Sequence, residues 1–428
     1  MTASPPGSEW FASARLGMFV HWGHSSQQGV ELSWPITGGV DVLPHSRPAM
    51  AVGDYESSAA TFDPVPGSAK EWAALARSAG MTYGVFTARH HDGYSMWPTA
   101  LSDYSVATSP SKPDLVGEFV DAFRTEGLRV GLYYSLPDWH HPDYPALTDA
   151  DRPYQFGLGR RSPPAGWQRY VDYVFGQIEE LLTGYGQIDV MWFDGAWERS
   201  DAEWQVDALA ARIRELQPAI LINDRLPRNG DFLTPEQFVP AEPPSGLWET
   251  CLTMNDSWGY VPDDHAYKPA RQLVETVCET AARGGNLLLN VSPRGDGSLP
   301  PEQLERLALL AAWMQRHGST IVDTQPGLAP WQWYGPSTER GDHVFLHLLT
   351  RPYDTVVVRG VPVRRVRSAT IVGTGMALAS QATVSVIDQI VHNADPRGEL
   401  RLTVPPDAVD SVATVIDLHL ASPVQELS

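Results

Sequence analysis

The sequence predicts an α/β fold, a (β/α)8-like (TIM-type) catalytic barrel followed by a C-terminal β-sandwich. Three observations predict it. Over the first three quarters of the chain, short apolar runs alternate with amphipathic segments, the pattern of β–α units repeated around a parallel sheet. After about Gly327 the amphipathic segments stop, and short β-branched runs separated by turns take over, as in a sandwich. A chain of 428 residues also exceeds one ordinary core and suits two. The expected division is 1–327 for the barrel and 328–428 for the sandwich.

Taken in order, residues 16–21 read as a strand and 68–79 as a helix. In that helix Trp72, Leu75, Ala76 and Ala79 share a face, Ser68 and Glu71 stand at capping-box spacing, and Gly80 stands where a helix stops. A strand follows at 83–87. The helix at 113–126 carries Val116, Phe119, Val120 and Phe123 on one stripe and is again followed by a glycine, Gly127. Strand 129–135, a longer helix within 166–182, strand 188–193, helix 201–216 and strand 220–223 continue the alternation. After an irregular stretch come a strand near 249–254, helix 271–283, strand 286–291 and helix 301–316. The sandwich strands are expected at 344–349, 355–358, 369–372, 402–404 and 414–420.

Charge and composition exclude several classes. The formal net charge of −20 repels nucleic-acid phosphates and disfavours anionic membranes. No run approaches the ~20 apolar residues of a membrane span. Met1 to Glu9 is polar and Pro-rich, without the basic start and apolar run of a signal peptide, and only Cys251 and Cys278 occur, too few for a disulfide framework. A cytoplasmic location is the expectation.

The chemistry lies at strand ends. Phe19-Val20-His21-Trp22-Gly23 ends in His21. Phe86-Thr87-Ala88-Arg89-His90-His91-Asp92-Gly93 ends in a histidine pair. Gly131-Leu132-Tyr133-Tyr134-Ser135 leads into Asp138-Trp139, Val190-Met191-Trp192-Phe193-Asp194-Gly195 ends in a carboxylate, and Ile222-Asn223-Asp224-Arg225 in a charged triplet. Carboxyl ends of barrel strands converge on one mouth, so the five ends describe one polar, aromatic-walled pocket. Any one of them alone reads as a turn or cap residue; their recurrence argues for a site. A metal reading competes, with His21, His24, His90, His91 and Asp92 as ligands. Adjacent residues of a strand point to opposite faces, which argues against both His90 and His91 holding one ion. No metal and no cofactor is expected.

The runs Arg15-Leu16-Gly17-Met18-Phe19-Val20-His21-Trp22-Gly23, Arg89-His90-His91-Asp92-Gly93, Gly131-Leu132-Tyr133-Tyr134-Ser135, Met191-Trp192-Phe193-Asp194-Gly195, Trp248-Glu249-Thr250-Cys251, Ser257-Trp258-Gly259-Tyr260 and Gly284-Gly285-Asn286-Leu287-Leu288-Leu289-Asn290-Val291 together resemble the ordered signature of the α-L-fucosidases of glycoside hydrolase family 29. The resemblance covers roughly residues 10–300. It implies a barrel followed by a β-sandwich and retaining, exo-acting hydrolysis of terminal α-L-fucosyl residues by double displacement, in which one carboxylate attacks the sugar and a second carboxyl group serves as acid, then base. The implied substrate is a fucosylated oligosaccharide or glycoconjugate.

Carried over residue by residue, the resemblance makes Asp194 the nucleophile, with Trp192 lining the sugar site. His21, His90 and His91 correspond to residues that bind the sugar hydroxyls, Tyr133 to a pocket tyrosine with Tyr134 a close second choice, Trp34 to a site tryptophan, and Arg225 to an arginine near the nucleophile. Glu236 corresponds best to the acid/base, with Glu249 in reserve. Glu249 also reads as a strand-end residue holding the barrel mouth together, and Asn286 as a residue that seats a strand. Two positions depart from the family pattern: Arg89 stands where a lysine is common, and Ser33, in Glu31-Leu32-Ser33-Trp34, stands where many relatives carry a glutamate. A barrel glycosidase for another sugar and a non-catalytic sugar-binding relative are the alternatives; a binder has no need of Asp194.

Overall fold

The computed structural model describes residues 6–47, 50–157 and 163–422. The polar start of the chain at residues 1–5 and its last six residues, 423–428, lie outside that range.

Eight parallel strands form the first sheet: β1 (Leu16–Val20), β2 (Tyr83–Arg89), β3 (Arg129–Ser135), β4 (Val190–Asp194), β5 (Leu221–Ile222), β6 (Phe232–Leu233), β7 (Leu247–Leu252) and β8 (Asn286–Val291). They are ordered β5-β4-β3-β2-β1-β8-β7-β6. The free edges meet through a parallel bridge between Asn223 and Phe232, where the Asp224 N–H donates to the Phe232 carbonyl at 2.9 Å. The sheet is thus an almost closed barrel. Strands β1, β2, β4 and β8 are buried along their whole length, as expected of strands covered on both faces.

Helices Ser68–Ser78, Leu115–Thr125, Trp167–Gly184, Val206–Leu216, Ala270–Ala282 and Pro301–His317 pack outside. No helix follows β5 or β6, whose connections are all described, so the wall departs from eight equal units. No helix among the described residues is long and apolar enough to cross a membrane.

Most expected elements lie within a residue or two of their observed bounds, and four differences have physical reasons. The stretch read as irregular hides β6, which at two residues is too short to leave a periodic pattern. The single helix expected at 201–216 is two, Asp201–Trp204 and Val206–Leu216, broken at Gln205 in the left-handed region (φ 54°). The break lets Trp204 turn inward, where its indole donates to the Ala196 carbonyl at 3.0 Å. The capping box expected at Ser68 is absent. Gly67 occupies the cap, and the Ser68 hydroxyl donates to the Val65 carbonyl. The C-terminal region also contains three strands not foreseen, β9 (Gln325–Pro326), β10 (Ser337–Arg340) and β14 (Ala379–Thr383).

With β11 (His343–Leu348), β12 (Thr355–Pro362), β13 (Val366–Ile371), β15 (Arg397–Thr403) and β16 (Thr414–Leu420), these form a five-stranded sheet, β13-β16-β11-β10-β9, and a three-stranded sheet, β12-β15-β14. Val344, Leu346, Ile416 and Leu418 of the larger sheet and Val356, Val358, Leu400 and Leu402 of the smaller share one core, which makes the pair a sandwich. It docks on the barrel through helix Pro301–His317, whose Trp313 donates to the Ala413 carbonyl at 2.9 Å.

Two local devices position the strand ends. Gly17 on β1 leaves room for the Tyr83 ring, which a β-carbon at that position would meet at 2.4 Å. Strand β5 is so short that a side chain continues its ladder: the Asn223 amide accepts from the Phe193 N–H at 2.7 Å and donates to the Phe193 carbonyl at 2.9 Å. This peptide-like pairing holds β4 one residue before Asp194. Removing it leaves two buried backbone groups unpaired, at a cost of about 1–3 kcal/mol for each such group. Asn223→Ala is therefore expected to lose roughly 2–6 kcal/mol of stability, read by denaturant unfolding, with a slower turnover besides. A variant as stable as wild type would show that β4 does not depend on this amide.

Candidate active site

The carboxyl ends of the strands open into a cavity of about 450 Å³. His21, Trp34, His90, His91, Tyr133, Trp192, Asp194, Arg225 and Glu236, all nine residues singled out in the sequence, line it. Each arrives from a strand end or from the loop that follows one.

Asp194 closes β4 and is 8% exposed. The Tyr133 hydroxyl donates to its Oδ2 at 2.9 Å, and Arg225 Nη1 donates to its Oδ1 at 2.9 Å. Both carboxylate oxygens are therefore oriented before any ligand arrives. Gly195 follows at φ 83°, and a β-carbon there would stand 2.3 Å from Pro137. Only glycine turns the chain in that space.

Arg225 is the hub. While Nη1 holds Asp194, Nη2 binds Glu236 Oε2, Nε donates to Thr234 at 3.3 Å, and the guanidinium lies 4.8 Å over the Trp192 ring. Burial pulls its pKa down, but Asp194 and Glu236 more than offset that and raise it well above the ordinary value. The two carboxylates consequently meet on the two terminal nitrogens of one cation.

Glu236 is held by main chain. The Cys251 N–H donates to the Pro235 carbonyl at 3.0 Å and the Gln237 N–H to the Cys251 carbonyl at 2.9 Å, so Glu236 is pinned to β7 on both sides. Its side chain is 38% exposed, the open member of the pair.

The three histidines are neutral. Burial, the main cause, lowers His21, His90 and His91 each to a pKa of about 3. Their Nδ1 atoms are all engaged. His21 Nδ1–H donates to Asn290 Oδ1 at 2.7 Å, the Asn290 amide being turned by its own donation to the Trp258 carbonyl. The Ser33 hydroxyl, which accepts from the Asp92 N–H, pairs with His90 Nδ1 at 2.6 Å. Ser135, which donates to the Pro137 carbonyl, accepts from His91 Nδ1–H. His21 and His91 therefore turn acceptors to the cavity. Such atoms match sugar hydroxyls, each both donor and acceptor.

The histidine pair corrects one expectation. His90 and His91 were expected on opposite faces, yet both line the cavity with ring centroids 4.3 Å apart. The strand ends at Arg89, with a register irregularity between Thr87 and Arg89, so strand alternation no longer applies. Even so, among the described residues His21, His24, His90 and His91 do not gather into a cluster of three or more ligand atoms suited to a metal.

The reserve residues fall elsewhere. Glu31 is completely buried and accepts from the Trp258 and Gly259 N–H groups at 2.8 and 2.9 Å, so it braces a loop beneath the cavity. Ser33, at the position of the family glutamate, acts through His90. Arg89 is buried among Tyr134, Gln177 and Asp138. Glu249 is also completely buried; it accepts from the Tyr83 hydroxyl and from Trp192 Nε1, the latter at 3.1 Å, and does not line the cavity. Asn286 accepts from the Arg15 N–H at 2.8 Å and donates to the Phe11 carbonyl at 2.7 Å, seating the start of β1.

Sequence reasoning missed the apolar part of the lining. Phe19 and Trp258 pack beside His21, and Trp197, Phe156, Val42 and Leu43 also reach the cavity. The signal for Trp258 was its place in the Ser257–Tyr260 block, and for Trp197 its proximity to Asp194. Val42, Leu43 and Phe156 lie in loops with no periodic signal.

Comparison with known proteins agrees with this geometry. A model of the α-L-fucosidase family matches residues 2–319. The chain is 30% identical to the tissue α-L-fucosidase of Rattus norvegicus over 384 residues, 83% of this chain and 79% of that protein. Its structure is similar to that of α-L-fucosidase isoenzyme 1 from Paenibacillus thiaminolyticus, with TM-score 0.82 and 34% identity, covering 97% of this chain and 99% of that one. It is also similar to the Thermotoga maritima α-fucosidase in complex with fucose, with TM-score 0.76 and 27% identity, covering 97% of both chains.

The burial of Glu249 has a measurable consequence. Burial raises its pKa from 4.5 to about 7, so the folded state holds this proton more tightly than the unfolded chain does. Its stabilising share is complete below about pH 4.5 and is lost as pH rises through about 7. Glutamine keeps the shape and does not titrate. Relative to wild type, Glu249→Gln is expected to gain stability steadily between about pH 5 and pH 8, by up to ~1.4 kcal/mol per pH unit. Parallel thermal melts read this, and a difference independent of pH would refute it.

Proposed function

The chain belongs to the α-L-fucosidase family, glycoside hydrolase family 29, and from that premise we propose how its own residues carry out the retaining hydrolysis. The substrate is a terminal α-L-fucosyl residue of an oligosaccharide or glycoconjugate. Asp194 is the nucleophile and Glu236 the acid/base. The observation that carries this reading is the sharing of Arg225 by the two carboxylates, one buried and oriented, the other open to the cavity mouth. Meeting on one guanidinium suits the ~5–5.5 Å separation of a retaining pair better than the wider spacing that leaves room for a water.

In the first step an Asp194 oxygen attacks the anomeric carbon. The bond to the aglycone oxygen breaks, and that oxygen takes the proton of Glu236, which enters this step as the acid and leaves it as the carboxylate that pairs with Arg225. In the second step Glu236, now a carboxylate, removes a proton from water as the water oxygen attacks the same carbon and frees Asp194. Tyr133 and Arg225 hold the nucleophile's oxygens in place, which limits rearrangement at the moment of attack. His90 pairs with a sugar hydroxyl while His21 and His91 accept from others. Trp34, Trp192 and Phe19 offer apolar faces to the sugar ring and its C6 methyl.

Replacing the nucleophile removes the covalent route. Asp194→Gly is expected to lose several orders of magnitude in kcat while the protein remains folded, and added azide or formate should restore part of the activity. Near-normal turnover in this variant would exclude Asp194.

Glu236 and Glu249 are separated by leaving group. A general acid matters most when the leaving oxygen is poor. Glu236→Ala should therefore cripple hydrolysis of fucosyl oligosaccharides far more than that of a nitrophenyl fucoside, and azide should accelerate the latter with a fucosyl azide of retained configuration as product. Glu249→Ala should slow both substrates alike and show no azide effect. The reverse pattern would exchange the two assignments.

A further inference from the structure

The larger sheet of the sandwich carries a second cluster of ionisable side chains with no place in the hydrolytic mechanism. His343 opens β11 and lies directly opposite His419 on β16. The imidazoles stack face to face, with centroids 4.4 Å apart and planes within 1° of parallel. Asp342, in the turn before β11, spans the pair. Its Oδ2 is 3.1 Å from His419 Nε2, and its Oδ1 is 3.5 Å from His343 Nε2. All four residues of the cluster are half-buried, with side-chain exposures between 22 and 37%.

The fourth member, Asp417, determines the tautomer. Both of its oxygens lie close to His343 Nδ1, at 2.8 and 3.0 Å. A carboxylate only accepts, so Nδ1 carries a proton, and Nε2 is the nitrogen turned toward the Asp342 carboxylate. The adjacent cation, Arg340, is turned over the Phe345 ring, 5.9 Å from its centroid.

We infer that Asp342, His343 and His419 form a binding site for a divalent transition-metal ion of the Zn²⁺ class, with Asp417 as the outer carboxylate that orients His343. One ligand atom from each of the three residues lies within 4.8 Å of the others. Metal–ligand distances of about 2.0–2.2 Å require some closing of that triangle and a tilt of the two rings out of parallel, which rotation of half-exposed side chains supplies. Two imidazole nitrogens and one carboxylate favour Zn²⁺ over Ca²⁺ or Mg²⁺, which prefer all-oxygen shells. Water completes the coordination. The carboxylate–histidine–metal relay formed by Asp417 and His343 recurs in protein zinc sites. The ion would clamp the last strand of the sandwich to the hairpin of β10 and β11, acting on stability rather than on the sugar chemistry.

The test is calorimetric titration of Zn²⁺ into the chelator-stripped, full-length protein, alongside thermal melts. One Zn²⁺ should bind per chain and raise the melting temperature. His343→Gln and His419→Gln should each abolish binding while melting like wild type in chelator. Asp417→Asn should weaken binding roughly 10-fold or more. Among the described residues, His45, Asp256 and Asp264 form the other cluster of this kind, so His45→Gln should bind as wild type does. Hydrolysis of an aryl fucoside should be the same with chelator as with Zn²⁺. Absence of Zn²⁺ binding, binding that survives His419→Gln, or binding lost in His45→Gln alone would each overturn the inference.

Discussion

A single half-buried cation shared by two carboxylates is the interaction on which the rest of the site depends. Arg225 surrenders its hydration on entering the barrel mouth, a cost that only well-placed opposite charges recover. Asp194 and Glu236 supply them from different strands, β4 and the segment after β6. The three strand ends must therefore be in register to within a few tenths of an ångström. Much of the local structure serves that demand. Asn223 extends a two-residue strand to hold β4. Thr234 ties Arg225 to Asp224, and Glu249 fixes the Trp192 ring on which the guanidinium rests.

Around this charged centre the remaining polarity is uncharged. Burial denies His21, His90 and His91 their protons, while Asn290, Ser33 and Ser135 select which nitrogen of each faces the cavity. The cavity thereby separates two tasks. Charge is confined to the carboxylate–guanidinium group, to which the proposed mechanism assigns the making and breaking of bonds, and the proposed recognition is left to neutral imidazoles and aromatic faces. A neutral donor or acceptor discriminates hydroxyl geometry without adding a field that would compete with Arg225 for the carboxylates.

Much of this was legible in the sequence. Long strands with polar ends, such as Tyr83–Arg89 and Arg129–Ser135, carry both their type and a pointer to the site in a few residues, because burial disfavours a polar side chain away from the point where the strand leaves the core. What was not legible has a common cause. Strand β6 has two residues and no period. Gln205 breaks a helix whose two halves share one amphipathic pattern. His90 and His91 lie just past the point where alternation applies, and the apolar rim comes from loops. In each case tertiary contacts override local pattern. The burial of Glu249 was equally invisible, since a strand-end carboxylate reads alike whether it faces the cavity or lies beneath it.

The way Glu236 is held has a consequence for reading related chains. Its main chain is placed by peptide groups, through the pairing of Pro235 and Gln237 with Cys251, with the Thr250 hydroxyl adding bonds to the Pro235 and Phe238 carbonyls. Substitution around it leaves the anchoring intact, provided the count of residues between β6 and β7 lets the same pairs form. Asp194 is written in letters and Glu236 in spacing. A pattern search over residue types will find the first and pass over the second, whereas aligning the ladder of β7 and counting back across it locates Glu236 whatever surrounds it.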